Sequence, residues 1–116
     1  MLSIENVSVT FHSKLKIIRA VQGVSFEIQP GQAIGIVGTS GSGKSALAHA
    51  INHLSCGHVE GTILLENRKI KHAGDRIGMI FQDPLSSLNP FMKIGHQITE
   101  AFLYHQKITQ KEAKAE

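Results

Sequence analysis

This sequence has one cysteine, no long apolar run and no strong excess of one charge. Each of these features excludes a class of protein. A single cysteine, Cys56, in 116 residues rules out an internal disulfide and suits a reducing compartment. No apolar run approaches the roughly 20 residues of a membrane-spanning helix. Residues 1–5 show no basic segment leading into an apolar one, so no secretory signal is expected. A net charge of +3 fits an anionic ligand but does not argue for nucleic acid.

A glycine-rich segment at residues 38–45 matches the phosphate-binding pattern G-x-x-x-x-G-K-[ST] without a mismatch. Glycines allow backbone torsions and close approach that a Cβ forbids, so the loop amides can point at phosphate oxygens. The lysine supplies a point charge for the β and γ phosphates, and the last serine supplies a hydroxyl for Mg²⁺. The predicted contacts are Gly38, Thr39, Ser40, Gly41, Ser42, Gly43, Lys44 and Ser45, with Ser45 also predicted as a Mg²⁺ ligand.

The flanks of this loop favour a nucleotide site over a flexible Gly/Ser linker. Ala33–Val37 is a short apolar run after a Pro-Gly turn, which predicts a buried strand. After the loop, residues 46–54 have apolar side chains at helical spacing, which predicts a helix with one apolar face. Linkers are not bordered by apolar periodic segments, so the pattern predicts a strand, a phosphate loop and a helix in succession.

Other apolar patterns predict a further set of elements. Residues 2–11 alternate between apolar and polar with a slip near Asn6, and Ile17–Ile28 ends in a second alternating stretch. Gly57–Gly61 is expected to break the helix. A hairpin is expected to follow, in which Thr62–Glu66 and Arg68–Ile70 pair around Asn67. The remaining predicted elements are a strand at Ile77–Phe81, a helix at Ile94–Tyr104 with Ile94, Ile98, Ala101 and Phe102 on one side, and a new helix announced by the capping-box pattern at Thr109–Glu112.

Four alternative interpretations carry less weight. His49 and His53 stand four residues apart, a spacing that can hold a metal, but no third ligand is near, so partly exposed helix histidines are expected. Cys56 is expected to be a small buried residue rather than a nucleophile. A GTPase is disfavoured because no Asn-Lys-x-Asp guanine motif exists, and a nucleotide kinase because no lid-like arginine cluster follows the loop.

A second motif separates the families that use phosphate loops. Residues 81–90 read Phe-Gln-Asp-Pro-Leu-Ser-Ser-Leu-Asn-Pro, which places Gln82 after an apolar strand and before a proline-bracketed loop. With the phosphate loop, this string resembles the N-terminal part of an ATP-binding subunit of an ABC transporter, in the oligopeptide, dipeptide and nickel importer branch. Residues 20–26 and 31–38 also match that branch, whereas Thr39 replaces its usual glutamate.

The resemblance implies a fold and a division of the chain. It implies an α/β phosphate-loop NTPase core with a mainly parallel sheet and an antiparallel β subdomain from residues 1–30 and 61–70. Residues 1–82 would form the core, and residues 83–116 would begin the helical subdomain. The sequence holds no Leu-Ser-Gly-Gly-Gln-type signature and no strand ending in Asp-Glu, so we expect the chain to be truncated before the signature motif and Walker B. The link at residues 71–75 is shorter than usual in the branch.

The resemblance also implies ligands and roles. ATP and Mg²⁺ are the expected cofactors. Phe11 matches the aromatic residue that stacks on adenine, the alternative being that its ring packs under the strand. Gln82 matches the residue that contacts Mg²⁺ and the attacking water and relays to the membrane subunit. The function implied is an ABC importer ATPase for peptides or, as the lesser choice, nickel or metal chelates.

The expected partners follow from the same resemblance. They are transmembrane permease subunits, a second ATPase subunit in a homo- or heterodimer, and indirectly a substrate-binding protein, with no nucleic acid. The location implied is peripheral, on the cytoplasmic face of the cell membrane. Because the catalytic glutamate and the signature are absent, the 116-residue chain alone is expected to be inactive. The alternative is a non-catalytic truncated remnant with weak or no nucleotide binding.

Overall fold

The computed structural model describes residues 1–70, 76–83 and 88–106. The chain divides into two units, Met1–Ala73 and Gly74–Glu116, and each is described by itself. The predicted link at residues 71–75 and the helix predicted from the capping-box pattern at residues 109–112 lie outside the described residues. The predicted division of the chain after Gln82 remains a prediction.

A four-stranded antiparallel sheet forms the first unit. Its spatial order is β2-β1-β3-β4, with β1 at Leu2–His12, β2 at Ile17–Ile28, β3 at His58–Leu65 and β4 at Arg68–Lys69. Strand β1 pairs along its length with β2 on one side and with β3 on the other. The alternation in residues 2–11 and 17–28 therefore predicted the two strands correctly.

The slip predicted near Asn6 is a bulge that involves three strands. Asn6 has a φ of 49°, and the pairing of β1 shifts register there with both neighbours. On β3, Gly61 has a φ of 97°, and an added Cβ would lie 2.4 Å from the Asn6 carbonyl oxygen. On β2, the Ser25 hydroxyl accepts a hydrogen bond from the Asn6 amide at 2.8 Å. The extra residue moves Val7 and Val9 onto the buried face of the sheet, beside Ile4.

The core lies between that face of the sheet and one helix, α1, at Lys44–Ile51. Apolar side chains from β1, β2 and α1 make it up because each element has one apolar face to bury. Its fully or nearly buried members are Ile4, Val7, Val9, Val21, Leu47 and Ala50.

Helix α1 ends three residues earlier than the apolar pattern predicted. The His53 amide donates to the Ala50 carbonyl at 3.1 Å and the Leu54 amide to the His49 carbonyl at 2.8 Å, while His53 has a φ of 54°. These are the paired bonds and the left-handed residue of a Schellman motif, which stops a helix. His53 and Leu54 therefore lie outside the helix, and Leu54 is 53% exposed.

The segment after α1 corrects two further predictions. Cys56 is exposed rather than buried, in the loop between α1 and the strand that follows it. The strand predicted to begin at Thr62 begins at His58 instead, because residues 58–60 also pair with β1. The hairpin around Asn67 is confirmed: Glu66 and Asn67 both have positive φ, 52° and 60°, which is the geometry of a type I′ turn.

The two segments predicted as parallel core strands are not strands here. Ala33–Val37 and Ile77–Phe81 form no ladder among the described residues, and every described strand pair is antiparallel. Val37 is 96% exposed and Ile80 is 93% exposed. Apolar composition favours burial in a sheet, but a ladder also requires a neighbouring strand, and parallel strands are stable only when both faces are covered.

The second unit contains helix α2 at Ile94–Gln106, which confirms the predicted helix at Ile94–Tyr104. Ile94 and Ile98 share one face, as expected, and are 60% and 56% exposed. The side chains of Ala101 and Phe102, the other two members of the predicted apolar side, lie outside the described residues.

Candidate functional site

The glycine-rich loop between residue 37 and α1 follows a path that only glycine permits at two points. Gly41 and Gly43 have φ of 79° and 94°, in the left-handed region that favours glycine. A Cβ on Gly43 would lie 2.1 Å from the carbonyl oxygen of Ala20 on β2, and a Cβ on Gly38 would lie 2.6 Å from Ser42 Oγ. The loop is therefore packed against its own turn and against β2.

Lys44 closes this loop from inside. Its Nζ donates to the carbonyl oxygens of Gly38 at 2.8 Å and Thr39 at 2.7 Å, and to Ser42 Oγ at 3.3 Å. An ammonium group has three protons to donate and no acceptor, so these contacts use its full capacity. They hold the positive charge in the middle of the loop, where phosphate oxygens would lie.

The N-terminus of α1 favours the binding of an anion. Gly43 is the N-cap and supplies no side chain to the first amides, and the first turn contains no acidic residue. The unpaired amides and the helix dipole together favour a bound negative charge. Ser45, in that first turn, is exposed, so its hydroxyl is accessible to a hard cation that prefers oxygen. The arrangement fits a magnesium-bound polyphosphate.

An open cavity of about 670 Å³ adjoins the loop. Residues from β2, the segment at 34–38 and the start of α1 line it, among them Ala20, Gln22 and Phe26. Lys44 is the one charged residue in the described lining, so no carboxylate opposes an anionic ligand there.

The remaining predicted site residues are Phe11 and Gln82. Phe11 is half-buried and packs against the core, and its ring lies next to Gly57, where an added Cβ would be 3.0 Å from its Cε1. It does not line the cavity beside the loop among the described residues. Gln82 is exposed and belongs to the second unit. The roles of Phe11 at adenine and of Gln82 at Mg²⁺ and water remain predictions.

Sequence reasoning gave no role to β2 in this site. Ala20 contacts the loop glycine through its backbone, and Gln22 lines the cavity with an exposed side chain. The one signal in the sequence was the match of residues 20–26 to the importer branch. That match singles out the segment but does not indicate which residues it contacts.

The histidine pair forms no metal site. His49 lies in the last turn of α1, whereas His53 lies beyond its end, so the helical spacing between them is lost. Within residues 1–70, 76–83 and 88–106, no group of three His, Cys, Asp or Glu side chains is placed to hold a metal.

Comparison with known proteins identifies the protein family to which this loop belongs. Residues 21–116 match the family model described as ABC transporter. The oligopeptide transport ATP-binding protein AppD of Bacillus subtilis is 39% identical, over 98% of this chain and 39% of its own length. The dipeptide transport ATP-binding protein DppD of Lactococcus lactis is 39% identical, over 92% of this chain and 34% of its own. The chain thus spans little more than a third of the length of these relatives.

A solved structure agrees with the sequence matches. The dimeric, post-hydrolysis ATP-binding cassette MJ0796, bound to ADP and Pi, superposes with a TM-score of 0.80 at 25% identity. The superposition covers 99% of this chain and 53% of that one. The predicted fold class, an α/β phosphate-loop core with an antiparallel β subdomain, is confirmed by this likeness, although the strands described here are those of the antiparallel part.

Proposed function

Because the chain belongs to the ABC transporter family, we propose that it is part of the ATP-binding subunit of a peptide importer. The observation that carries this proposal is the glycine loop closed by Lys44 at an uncapped helix N-terminus. Peptide is preferred to nickel or a metal chelate as cargo because the similar curated proteins are oligopeptide and dipeptide transport proteins.

The proposed roles follow the geometry of the loop. The amides of residues 38–45 and the start of α1 hold the phosphates, Lys44 neutralises the β and γ phosphates, and Ser45 binds Mg²⁺. Bound Mg²⁺-ATP would supply the γ-phosphoryl group, whose transfer to water with release of ADP would drive transport. We further propose that Phe11 contacts adenine and that Gln82 contacts Mg²⁺ and water.

The proposed partners are membrane-spanning permease subunits and a second ATPase subunit, with a substrate-binding protein acting indirectly. No helix in the described parts of the chain is long and apolar enough to cross a bilayer. The proposal that transport depends on a membrane-spanning partner, and that the chain lies peripherally on the cytoplasmic face of the membrane, follows from the likeness to transport ATP-binding proteins. A homodimer of cassettes is supported by the dimeric state of MJ0796.

Binding of a fluorescent ATP analogue, with and without Mg²⁺, tests this proposal. We expect Lys44→Ala to weaken binding by about 10-fold or more, because the loop loses both its cation and the three contacts that close it. Lys69→Ala is the matched control, since Lys69 is an exposed lysine on β4 that does not line the loop cavity. Equal affinities for the wild type and Lys44→Ala would contradict the proposal.

The second candidate is a non-catalytic remnant with weak or no nucleotide binding, in which the Lys44 ammonium stays bound to its own loop. Both candidates predict that the purified 116-residue chain and its Lys44→Ala variant release phosphate from ATP at the same rate. They differ in binding, because a nucleotide-binding subunit retains Lys44-dependent affinity and a decayed remnant does not. Clear Mg²⁺-dependent turnover that Lys44→Ala abolishes would show that the chain hydrolyses ATP unaided.

A further inference from the structure

Strand β2 is longer than its partner where it passes the glycine-rich loop. Residues 7–10 of β1 lie opposite residues 19–24 of β2, so this stretch of β2 contains two extra residues. One is Ala20, which has no pairing partner in β1, although the structure describes both strands in full. The other belongs to the pair Gln22–Gly23, which lies opposite Ser8 alone. Extra residues bend a strand and interrupt its ladder, so the path of β2 depends on what holds them.

The side chain of Ser8 holds the bulge at Gln22–Gly23. Its Oγ accepts a hydrogen bond from the Gly23 amide at 2.9 Å. Gly23 has a φ of 59°, in the left-handed region that favours glycine. The hydroxyl thus joins the bulged stretch of β2 to the one residue of β1 that faces it.

Ala20, three residues before Gly23, contacts the phosphate-binding loop through its backbone. A Cβ on Gly43 would lie 2.1 Å from the Ala20 carbonyl oxygen and 3.1 Å from its carbonyl carbon. The carbonyl group therefore lies directly against Gly43, which is the N-cap of α1 and the last glycine of the loop. A displacement of β2 would press on Gly43 or leave it without support, and the first amides of α1 would move with it.

We propose that Ser8 is a positioning residue for the phosphate-binding loop, because its hydroxyl holds the bulge of β2 in the place where the Ala20 carbonyl supports Gly43. Ser8 acts through β2, since it is not among the described residues that line the loop cavity. This inference rests on the proposed function, in which the loop binds Mg²⁺-ATP.

A neighbouring bulge offers a matched comparison. There the pair Glu5–Asn6 on β1 lies opposite Ser25, and Ser25 Oγ accepts a hydrogen bond from the Asn6 amide at 2.8 Å. The bond type is the same, but the extra residue belongs to β1 and not to the strand that carries Ala20. Loss of the Ser25 hydroxyl should therefore cost the sheet a similar bond without moving the contact with the loop.

Titration of the 116-residue chain with a fluorescent ATP analogue and Mg²⁺ tests the proposal. Trimethylamine-N-oxide is added until every variant is folded, so that affinity is measured apart from stability. We expect Ser8→Ala to weaken binding about fivefold, the loss that one hydrogen bond typically supplies. Ser25→Ala should stay within about twofold of wild type, and Ser8→Thr, which keeps the hydroxyl, should restore the affinity.

A double variant tests the route through Gly43. The methyl group of Gly43→Ala already displaces the Ala20 carbonyl, so Ser8→Ala should weaken binding by less than about twofold when it is added to Gly43→Ala. A general effect of Ser8 on the sheet would instead multiply the two losses. Amide hydrogen exchange supplies the structural check, because exchange of the Gly23 amide should speed up in Ser8→Ala.

Several results would overturn the inference. Equal losses in Ser8→Ala and Ser25→Ala, or multiplied losses in the double variant, would reject the positioning role. Lys44-dependent binding that Ser8→Ala leaves at wild-type affinity would also reject it, while the proposed function would stand. Absence of Lys44-dependent binding in the wild type would reject the proposed function and the inference together.

Discussion

At the scale of single residues, Gly43 is the position of the loop at which an added side chain would clash most severely. Gly43→Ala places a methyl group 2.1 Å from the Ala20 carbonyl oxygen at a φ of 94°. A left-handed alanine costs about 1–2 kcal/mol, and the overlap adds about 1–3 kcal/mol. We expect Mg²⁺-ATP binding to weaken by 10-fold or more, as measured by titration with a fluorescent analogue.

Gly78→Ala is the matched control for that change. Gly78 has no atom within 4 Å of an added Cβ and no positive φ, and it does not line the loop cavity, so a methyl group there should leave affinity within about twofold of wild type. Similar losses in the two variants would show that the contact with Ala20 does not restrict the loop.

The sequence predicts residue roles where a role depends on local order alone. Residues 38–45 form the predicted loop because glycine torsions and a following lysine are local properties. The contacts of Gly43 with Ala20 and of Phe11 with Gly57 join residues far apart in the chain, so no local pattern reports them. The hydrogen bonds between the Gln97 side chain and the backbone of Asn89 and Met92 were also missed. A glutamine in a helical pattern is usually solvated, so the pattern does not indicate that its side chain has backbone partners.

At the scale of elements, the end of α1 shows how a terminus overrides an apolar pattern. His53 occupies the left-handed position of the Schellman motif, where glycine carries no Cβ penalty. His53→Gly should therefore stabilise the first unit by about 1 kcal/mol. The measurement is the trimethylamine-N-oxide concentration at which half the chain is folded, which should fall.

The opposite change in the same helix provides the control. Ala48→Gly lies inside α1 and should raise that midpoint, because glycine costs about 1 kcal/mol relative to alanine in a helix interior. If His53→Gly also raises the midpoint, the side chain of His53 contributes more than its strained backbone costs.

Strands whose partners lie close in sequence were predictable, and the others were not. The alternation of β1 and β2 and the turn at Glu66–Asn67 specify pairings between neighbours in the chain. Ala33–Val37 and Ile77–Phe81 show the same apolar signal without a ladder, since composition indicates that a segment can be buried but not which strand lies beside it.

At the scale of the whole molecule, exposed large apolar side chains outnumber the buried ones among the described residues. Six apolar side chains are buried, whereas sixteen large ones are between 38% and 96% exposed, including Ile34, Ile36 and Val37. Each such side chain left in water forgoes part of the roughly 1.5–3 kcal/mol that burial supplies. We therefore expect purified residues 1–116 to unfold without a cooperative thermal transition in circular dichroism or calorimetry.

A sharp, reversible transition at ordinary temperatures would contradict this expectation. It would mean that the sheet and α1 are sufficient as a folding unit, despite the uncovered segment at residues 33–37. Addition of saturating Mg²⁺-ATP is the informative second scan, because a ligand that binds only the folded chain raises its apparent stability.

The contact between the Ala20 carbonyl and Gly43 also provides a spectroscopic reporter. The sequence contains a single Ala–Val dipeptide, Ala20–Val21. Labelling with ¹³C-carbonyl alanine and ¹⁵N-valine therefore gives one cross-peak in a carbonyl-to-amide correlation spectrum. That carbonyl lies against the last glycine of the loop, so any rearrangement of the loop changes its electronic environment. One resonance on a β-strand would thus follow the occupancy of a site to which that strand contributes no charged side chain.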